Sequence, residues 1–327
     1  MKAIWFDRYG APDVLQLRDV EVPQVGDDEL LVRVRAASIN PLDWHFMRGK
    51  PYLVRLMAGV SRPKDSARKL GADMAGSVEA VGKSVTEFQP GDEVFGGLEE
   101  RGTLAEYITV GQAAAVLPKP AGLTFEQAAA VSVAACTALQ ALRDKGHIKP
   151  GQKVLVNGAS GGVGTFAVQL AKALGSEVTG VCSTRNVETV GKLGADRVID
   201  YTREDFTRAE PEYDLLLDIA GSRTLADTRR VLRPRGTLVG VGGPNKGNWL
   251  GPLGRSLTMA LLSPAVSQRM AFFLAHQNKA DLAILREFIE TGKVTPVIDR
   301  TYSLAQTADA IRYLEEGHAT GKLVITI

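Results

Sequence analysis

Cysteine is scarce in this chain: Cys136 and Cys182 are the only two in 327 residues. So few thiols leave no basis for a disulfide framework and fit a reducing compartment, the cytoplasm. The four histidines, His45, His147, His276 and His318, are scattered, and none is paired with another ligand at metal-binding spacing. Neither sign of charge is in excess: 39 Lys and Arg stand against 37 Asp and Glu, a net +2. That balance argues against nucleic acid or an anionic membrane as partner. No apolar run reaches the length of a membrane span. The nearest, Leu257 to Val266, is short and contains Ser263 and Pro264. There is no secretory signal pattern, since Met1-Lys2-Ala3-Ile4-Trp5 runs straight into a mixed charged segment. Repeats and low-complexity tracts are also lacking. What remains is an ordinary globular composition, 45% hydrophobic and 23% charged, at a length that suggests two domains with ample core.

The most informative stretch is Lys153 to Gly164, Lys-Val-Leu-Val-Asn-Gly-Ala-Ser-Gly-Gly-Val-Gly. Val154, Leu155 and Val156 read as a short strand. Val163, Ala167, Leu170, Ala171 and Leu174 fall on one face of a following helix. Strand, glycine turn and helix place a pyrophosphate on a helix N-terminus, where free N–H groups and the helix dipole favour negative charge. The turn supplies Ala159, Ser160, Gly161, Gly162, Val163 and Gly164 as cofactor-binding candidates. Gly161 lets the backbone approach a phosphate closely, and Gly164 lets the helix pack on the strand. Ala159 stands where the dinucleotide fingerprint usually has its first glycine. An ordinary strand-to-helix turn is the alternative.

A second apolar strand runs from Glu177 to Val181. An NAD-binding chain would carry Asp or Glu at its end to hold the ribose 2′-hydroxyl. Cys182-Ser183-Thr184-Arg185-Asn186 follows instead, with no carboxylate to repel a 2′-phosphate. Ser183 and Thr184 offer hydroxyls and Arg185 a charged planar fork, which favours NADP(H). The alternative for Arg185 is a solvated surface arginine. Two further strands, Tyr213 to Ile219 and Gly236 to Val241, follow, and the second ends in Gly242 and Gly243. These glycines sit where open parallel sheets bind ligands.

The first third is organised differently. Leu30 to Ala36 alternates apolar and charged residues as a half-buried strand does. Ser77 to Val81 and Glu93 to Phe95 are further strands, punctuated by Pro90-Gly91-Asp92 and Gly96-Gly97. The pattern predicts a β-rich antiparallel domain over 1–123. An Ala-rich helix, Phe125 to Asp144, opens a region of alternating helix and strand over 124–295, hence a parallel sheet. A helix over Leu304 to Glu316 and a strand over Lys322 to Ile327 close the sequence, and this tail (296–327) is expected to pair back with the first domain. The substrate site is expected in the cleft between the two domains.

The chain resembles the medium-chain dehydrogenase/reductase superfamily, in its zinc-independent quinone oxidoreductase branch. The resemblance spans nearly the whole length. It rests on an ordered set of segments: 37–44, 71–76 with Gly82, 90–96, 102–107, the glycine turn, 193–196 and 321–325. It implies an α/β fold made of a GroES-like β-rich domain and a Rossmann doubly wound domain. Relatives are often dimers, so a homodimer is implied as well.

Zinc-dependent members hold a catalytic zinc with a cysteine, a His-Glu pair and a second cysteine. The matching positions here are Asn40, Ala72-Asp73 and Cys136, and only Cys136 retains a possible ligand, where three are needed. The four-cysteine lobe of those members corresponds to Gly97 to Gly102, which has no cysteine. No metal is expected, and Cys136 reads as a small buried residue. Without a Lewis acid, simple alcohol oxidation loses its means of stabilising the alkoxide. Hydride transfer to quinones or α,β-unsaturated carbonyls remains feasible, because the acceptor is already activated and a few hydrogen-bond donors suffice.

Asn40 is expected to point its amide at the nicotinamide or at the substrate oxygen. Asn40-Pro41 is also a turn signal. Tyr52 stands as donor to the substrate oxygen, as a contact to the cofactor, or as a loop shield. The resemblance places Asp43 near the nicotinamide, Tyr201 beside the adenosine phosphate and Lys322 near the cofactor; a surface lysine is the alternative for Lys322. Substrate choice is assigned to 245–269, which holds Lys246, Trp249, Arg255 and Arg269. Two other functions stay open on sequence alone. One is an NAD(P)-dependent alcohol dehydrogenase of the same superfamily. The other is a low-turnover NADPH-binding protein with a structural or redox-sensing role.

Overall fold

The computed structural model describes residues 1–99, 101–242, 258–259, 263 and 266–327. They divide into two compact units. One comprises Met1–Cys136, His276–Glu290 and Pro296–Ile327; the other comprises Thr137–Ala275 and Thr291–Thr295.

The first unit is built on a seven-stranded sheet. Its path runs Ile298–Ser303, Lys322–Thr326, Glu29–Ile39, Asp73–Val81, Glu93–Gly97 and Ala115–Pro118, and Tyr107–Gly111 also pairs with Glu29–Ile39. Every pairing is antiparallel except that of Ile298–Ser303 with Lys322–Thr326. The strand expected over Leu30 to Ala36 continues to Ile39. Its alternation gives way to Ala36, Ala37, Ser38 and Ile39, all buried, because both faces are covered there. The closing strand does return to this unit, with Leu323 opposite Ile39 and Ile325 opposite Ala37. Leu30, Val32, Ile39, Trp44, Met47, Leu323 and Ile325 share one core cluster.

Residues 41–48 are helical, where the sequence showed only a turn signal. Asn40 is extended, Pro41 occupies the first helical position and Asp43 sits in the first turn. Proline there has its φ preset and misses no hydrogen bond. The helix ends at Gly49 in the left-handed conformation. A second helix, Lys279–Glu290, was not anticipated; it buries Leu282, Leu285 and Ile289 at helical spacing.

The second unit is a six-stranded, wholly parallel sheet. Its spatial order is Arg197–Asp200, Glu177–Cys182, Lys153–Asn157, Tyr213–Asp218, Leu232–Gly240, Arg269–Phe272. The chain enters mid-sheet at Lys153, builds to one edge and then crosses to the other side. The strand order therefore reverses between Lys153–Asn157 and Tyr213–Asp218, the position at which such sheets bind ligands. Val154, Leu155 and Val156, like Leu215, Leu216 and Leu217, are buried as a continuous run. Parallel strands covered on both faces require this.

The expected helix Phe125 to Asp144 is in three pieces: Phe125–Ala129, Ser132–Gln140 and a wider turn over Ala141–Lys145. The break has a local cause. The Val133 N–H donates to Asp73 Oδ1 at 2.7 Å, so a carboxylate starts the second piece. The expected helix from Leu304 opens as a 3-10 turn, Leu304–Gln306, and becomes α-helical over Thr307–Glu315.

Candidate active site

Gly158 follows the first parallel strand with φ +92°, a conformation that favours glycine. The N–H groups of Gly158 and Ala159 both donate to Val181 O, at 3.2 and 3.0 Å. This tucks the buried Ala159 against the neighbouring strand. Gly161 is the N-cap of helix Gly162–Ala173, and no side chain caps that helix. The N–H groups of its first turn have no acceptor inside the helix, and residues 160–163 are partly exposed. A Cβ on Gly161 would meet nothing nearer than Gly158 O at 3.6 Å, so that side of the turn is open. A Cβ on Gly164 would lie 2.0 Å from Gly158 O, so that glycine is required by packing. Gly242 is held as tightly, with Ile219 O 2.5 Å from a Cβ there. The open, positive helix end fits a pyrophosphate. Asn157 Nδ2 donates to Asp218 Oδ1 at 2.7 Å, and both residues are buried. This pair ties together the two strand ends that flank the switch point. Gly243, Lys246, Trp249 and Arg255 lie outside the described residues.

At the end of Glu177–Cys182, one expectation needs correction. No carboxylate follows this strand in sequence, yet the neighbouring strand brings one. Thr184 Oγ1 donates to Asp200 Oδ2 at 2.6 Å, so its hydroxyl is engaged within the protein. Asp200 also accepts from Thr202 N at 2.9 Å and Thr202 Oγ1 at 2.7 Å. Burial, and then the Asp200 charge, push the Cys182 thiol up to about 11. Ser183 is partly exposed and Arg185 is exposed. Ser160 Oγ accepts from Asn186 Nδ2 at 3.0 Å, which links the turn to this strand end. Tyr201, at 51% exposure, follows Asp200.

The first unit holds a buried polar cluster where three strand ends converge. Ser38 pairs with Asp73, and Ile39 pairs with Leu323. Asn40 and Lys322 are therefore brought beside Asp73. Lys322 Nζ donates to Asn40 Oδ1 at 2.6 Å and lies 3.2 Å from Asp73 Oδ2. Asp73 Oδ2 also accepts from Asn40 Nδ2 at 2.9 Å and Ser38 Oγ at 2.6 Å. Lys322, Asn40 and Asp73 are 4%, 5% and 0% exposed, so Lys322 is no surface lysine. Asp43 is buried and accepts two backbone bonds, from Asn40 N at 2.7 Å and Gly71 N at 2.8 Å. Burial raises its carboxyl above the usual range, against the pull of those two bonds. Asp43 thus braces the loop around Asn40. Tyr52 is half-buried at the start of helix Leu53–Ala58, with the Arg55 guanidinium 5.0 Å from its ring centroid.

Asp73 is the hub the sequence did not single out. A carboxylate heading the apolar run Met74-Ala75 was its one local signal. Cys136 is fully buried on helix Ser132–Gln140. Among the described residues, no group of three or more His, Cys, Asp or Glu is arranged to hold a metal. Among them, too, no helix is long and apolar enough to cross a membrane.

Two family models match the chain: an alcohol dehydrogenase GroES-like domain over residues 26–121 and a zinc-binding dehydrogenase over residues 193–325. The chain is 35% identical to 2-methylene-furan-3-one reductase of Solanum lycopersicum, covering 99% of this chain and 79% of the relative. It is 34% identical, with the same coverage, to an NADPH-dependent alkenal/one oxidoreductase, chloroplastic, of Arabidopsis thaliana. Among solved structures, the quinone oxidoreductase from Coxiella burnetii superposes with a TM-score of 0.86 at 32% identity, covering 100% of this chain and 99% of that one. With both halves matched in order and relatives aligned along nearly its whole length, the chain belongs to the medium-chain dehydrogenase/reductase superfamily.

Proposed function

We propose that this protein is an NADPH-dependent oxidoreductase that reduces quinones or α,β-unsaturated carbonyl compounds without a metal. The observation that carries the reading is the uncapped, glycine-lined helix end at Gly161–Gly164, in a chain similar to reductases of such acceptors. NADPH, when bound, supplies a hydride to a conjugated carbon of the acceptor. For an enone, the hydride adds at the β-carbon, the C=C electron pair shifts toward the oxygen, and a proton from solvent completes the saturated ketone.

The residues divide this work. Backbone N–H groups at 162–164, which have no acceptor within the helix, hold the pyrophosphate. Ser183 and Arg185 take the 2′-phosphate, and Tyr201 and Gly242 flank the nucleotide. Asn40 donates to the acceptor oxygen, where charge develops, and Tyr52 is the second donor. Zinc does not fit the residues at the family's ligand positions. Asn40 offers an amide, Ala72 offers nothing, and Asp73 is already engaged by four donors that include a lysine. On this reading 1–123 and 296–327 form the catalytic domain and 124–295 the NADP(H)-binding domain. Two free buried cysteines suit the reducing cytoplasm. A homodimer would use the edge of strand Arg269–Phe272, which has no second strand partner among the described residues.

The test is to mix purified protein and NADPH with a panel of quinones and enones and follow the absorbance of the reduced nicotinamide. Oxidation that depends on both protein and acceptor is expected. Tight NADPH binding with no oxidation by any acceptor would overturn the proposal. A second arm adds metal analysis, and stoichiometric zinc would overturn the metal-free chemistry.

A further inference from the structure

We infer that Lys322 and Asp73 are positioning residues that lock the Asn40 amide in one orientation and leave one of its N–H groups committed to a substrate oxygen. This rests on the proposed reduction of enones or quinones.

A side-chain amide can rotate by half a turn with little change of shape, because its oxygen and nitrogen ends are nearly isosteric. In this cluster the two ends face opposite charges. The oxygen lies 2.6 Å from the Lys322 ammonium, and the nitrogen lies 2.9 Å from an Asp73 carboxylate oxygen. Rotation would set N–H against ammonium and C=O against carboxylate in a site screened from water, where such errors are costly. The ion pair is itself anchored. Asp73 is held by Ser38 Oγ and by the Val133 N–H. The Asn40 backbone is pinned from its other side, by Asp43. Backbone and side chain of Asn40 are both fixed.

The donor count then singles out a ligand. The amide nitrogen carries two N–H groups. One is given to Asp73, and the other has no acceptor among the described residues. The Lys322 ammonium carries three and directs two of them at Asn40 and Asp73. Two unspent donors thus remain in a cluster that is at least nine-tenths buried, and buried donors left unpaired are costly. An oxygen acquiring negative charge beside the amide satisfies the N–H left over on Asn40. The ion pair fixes where the amide points, and the amide supplies the bond.

The experiment compares Lys322→Met and the charge-neutral double variant Lys322→Met/Asp73→Asn with the unaltered protein, on an acceptor the unaltered protein reduces. A kcat loss of about 10²-fold is expected, while the Kd for NADPH and the KM for the acceptor stay within about threefold. A merely structural role would not give that split. Unchanged kcat in a folded variant overturns the inference. So does a loss confined to NADPH affinity, which would make Lys322 a cofactor ligand. Absence of any turnover by the unaltered protein overturns the functional reading, and this inference with it. Should neither variant fold, NMR of the unaltered protein decides. One Asn40 side-chain proton should exchange slowly, and the other should shift when NADP+ and the saturated ketone product are added. Two equivalent, unshifted protons overturn the inference.

Discussion

The turn at 158–164 and the cluster around Asp73 sit in different units and are built from different materials. The turn works through backbone: the N–H groups of its first helical turn have no acceptor within the helix, and its side chains matter mainly by being absent. The cluster works through side chains, with two opposite charges, an amide and a hydroxyl closing on one another out of reach of water. The first device fails when an atom is added. The second fails when a charge is removed. Each failure is testable separately.

The largest effect is expected in the cluster. Asp73→Ala strands the Lys322 ammonium without its counter-charge, and breaking a buried pair in this way costs about 3–5 kcal/mol. Thermal or denaturant unfolding would show it, and a change no larger than that of a surface substitution would remove Asp73 as hub. In the turn, Gly164→Val would set a Cβ 2.0 Å from Gly158 O, far inside van der Waals contact. About 2–3 kcal/mol of overpacking is expected, together with weakened NADPH binding in a fluorescence titration. Arg185→Ala should weaken NADPH by about tenfold, roughly 1.4 kcal/mol, and leave NADH unchanged. Equal losses would refute the phosphate role. Asp200→Asn should have a smaller and opposite effect. It removes a negative charge beside Thr184 and so strengthens NADPH by about twofold at low salt. The Cys182 thiol should also drop below about 11 while staying raised by burial.

The smallest effect is one of pH. Burial holds the His45 imidazole below its ordinary 6.5, against a hydrogen bond with Lys50 O that favours protonation. The unfolded chain therefore takes up its proton first. Stability present above 6.5 is lost as pH falls toward the folded-state value. His45→Gln should flatten that part of the stability profile, and an unchanged acid limb would exclude His45 as its source.

The contrast between the two regions also explains what was legible in the sequence. The turn is contiguous: Val154 to Val156, the glycines and the periodic helix sit next to one another, so periodicity and residue type were enough. The parallel sheet, the antiparallel sheet and the return of the closing strand followed from the same local patterns. The cluster joins residues 38, 40, 73 and 322, and no local pattern records that they meet. The sequence marks Asn40 and Lys322 separately, and Asp73 only as a missing zinc ligand. The Thr184–Asp200 bond was missed for the same reason, because a cross-strand neighbour lies far away along the chain. The helix Pro41–Arg48 was hidden by Pro41, which signals a turn and a helix start alike.

Strand Lys322–Thr326 has a consequence for how the molecule is made. It fills the slot between Glu29–Ile39 and Ile298–Ser303, yet it emerges from the ribosome after all of the parallel-sheet unit. That unit can complete its six strands co-translationally while the earlier-made half still lacks two of its own, Ile298–Ser303 and Lys322–Thr326. The host waits for its own insert. Until residue 322 arrives, Asp73 has Ser38, Asn40 and Val133 as partners but no counter-charge from Lys322, so the half synthesised first is the half that finishes folding last.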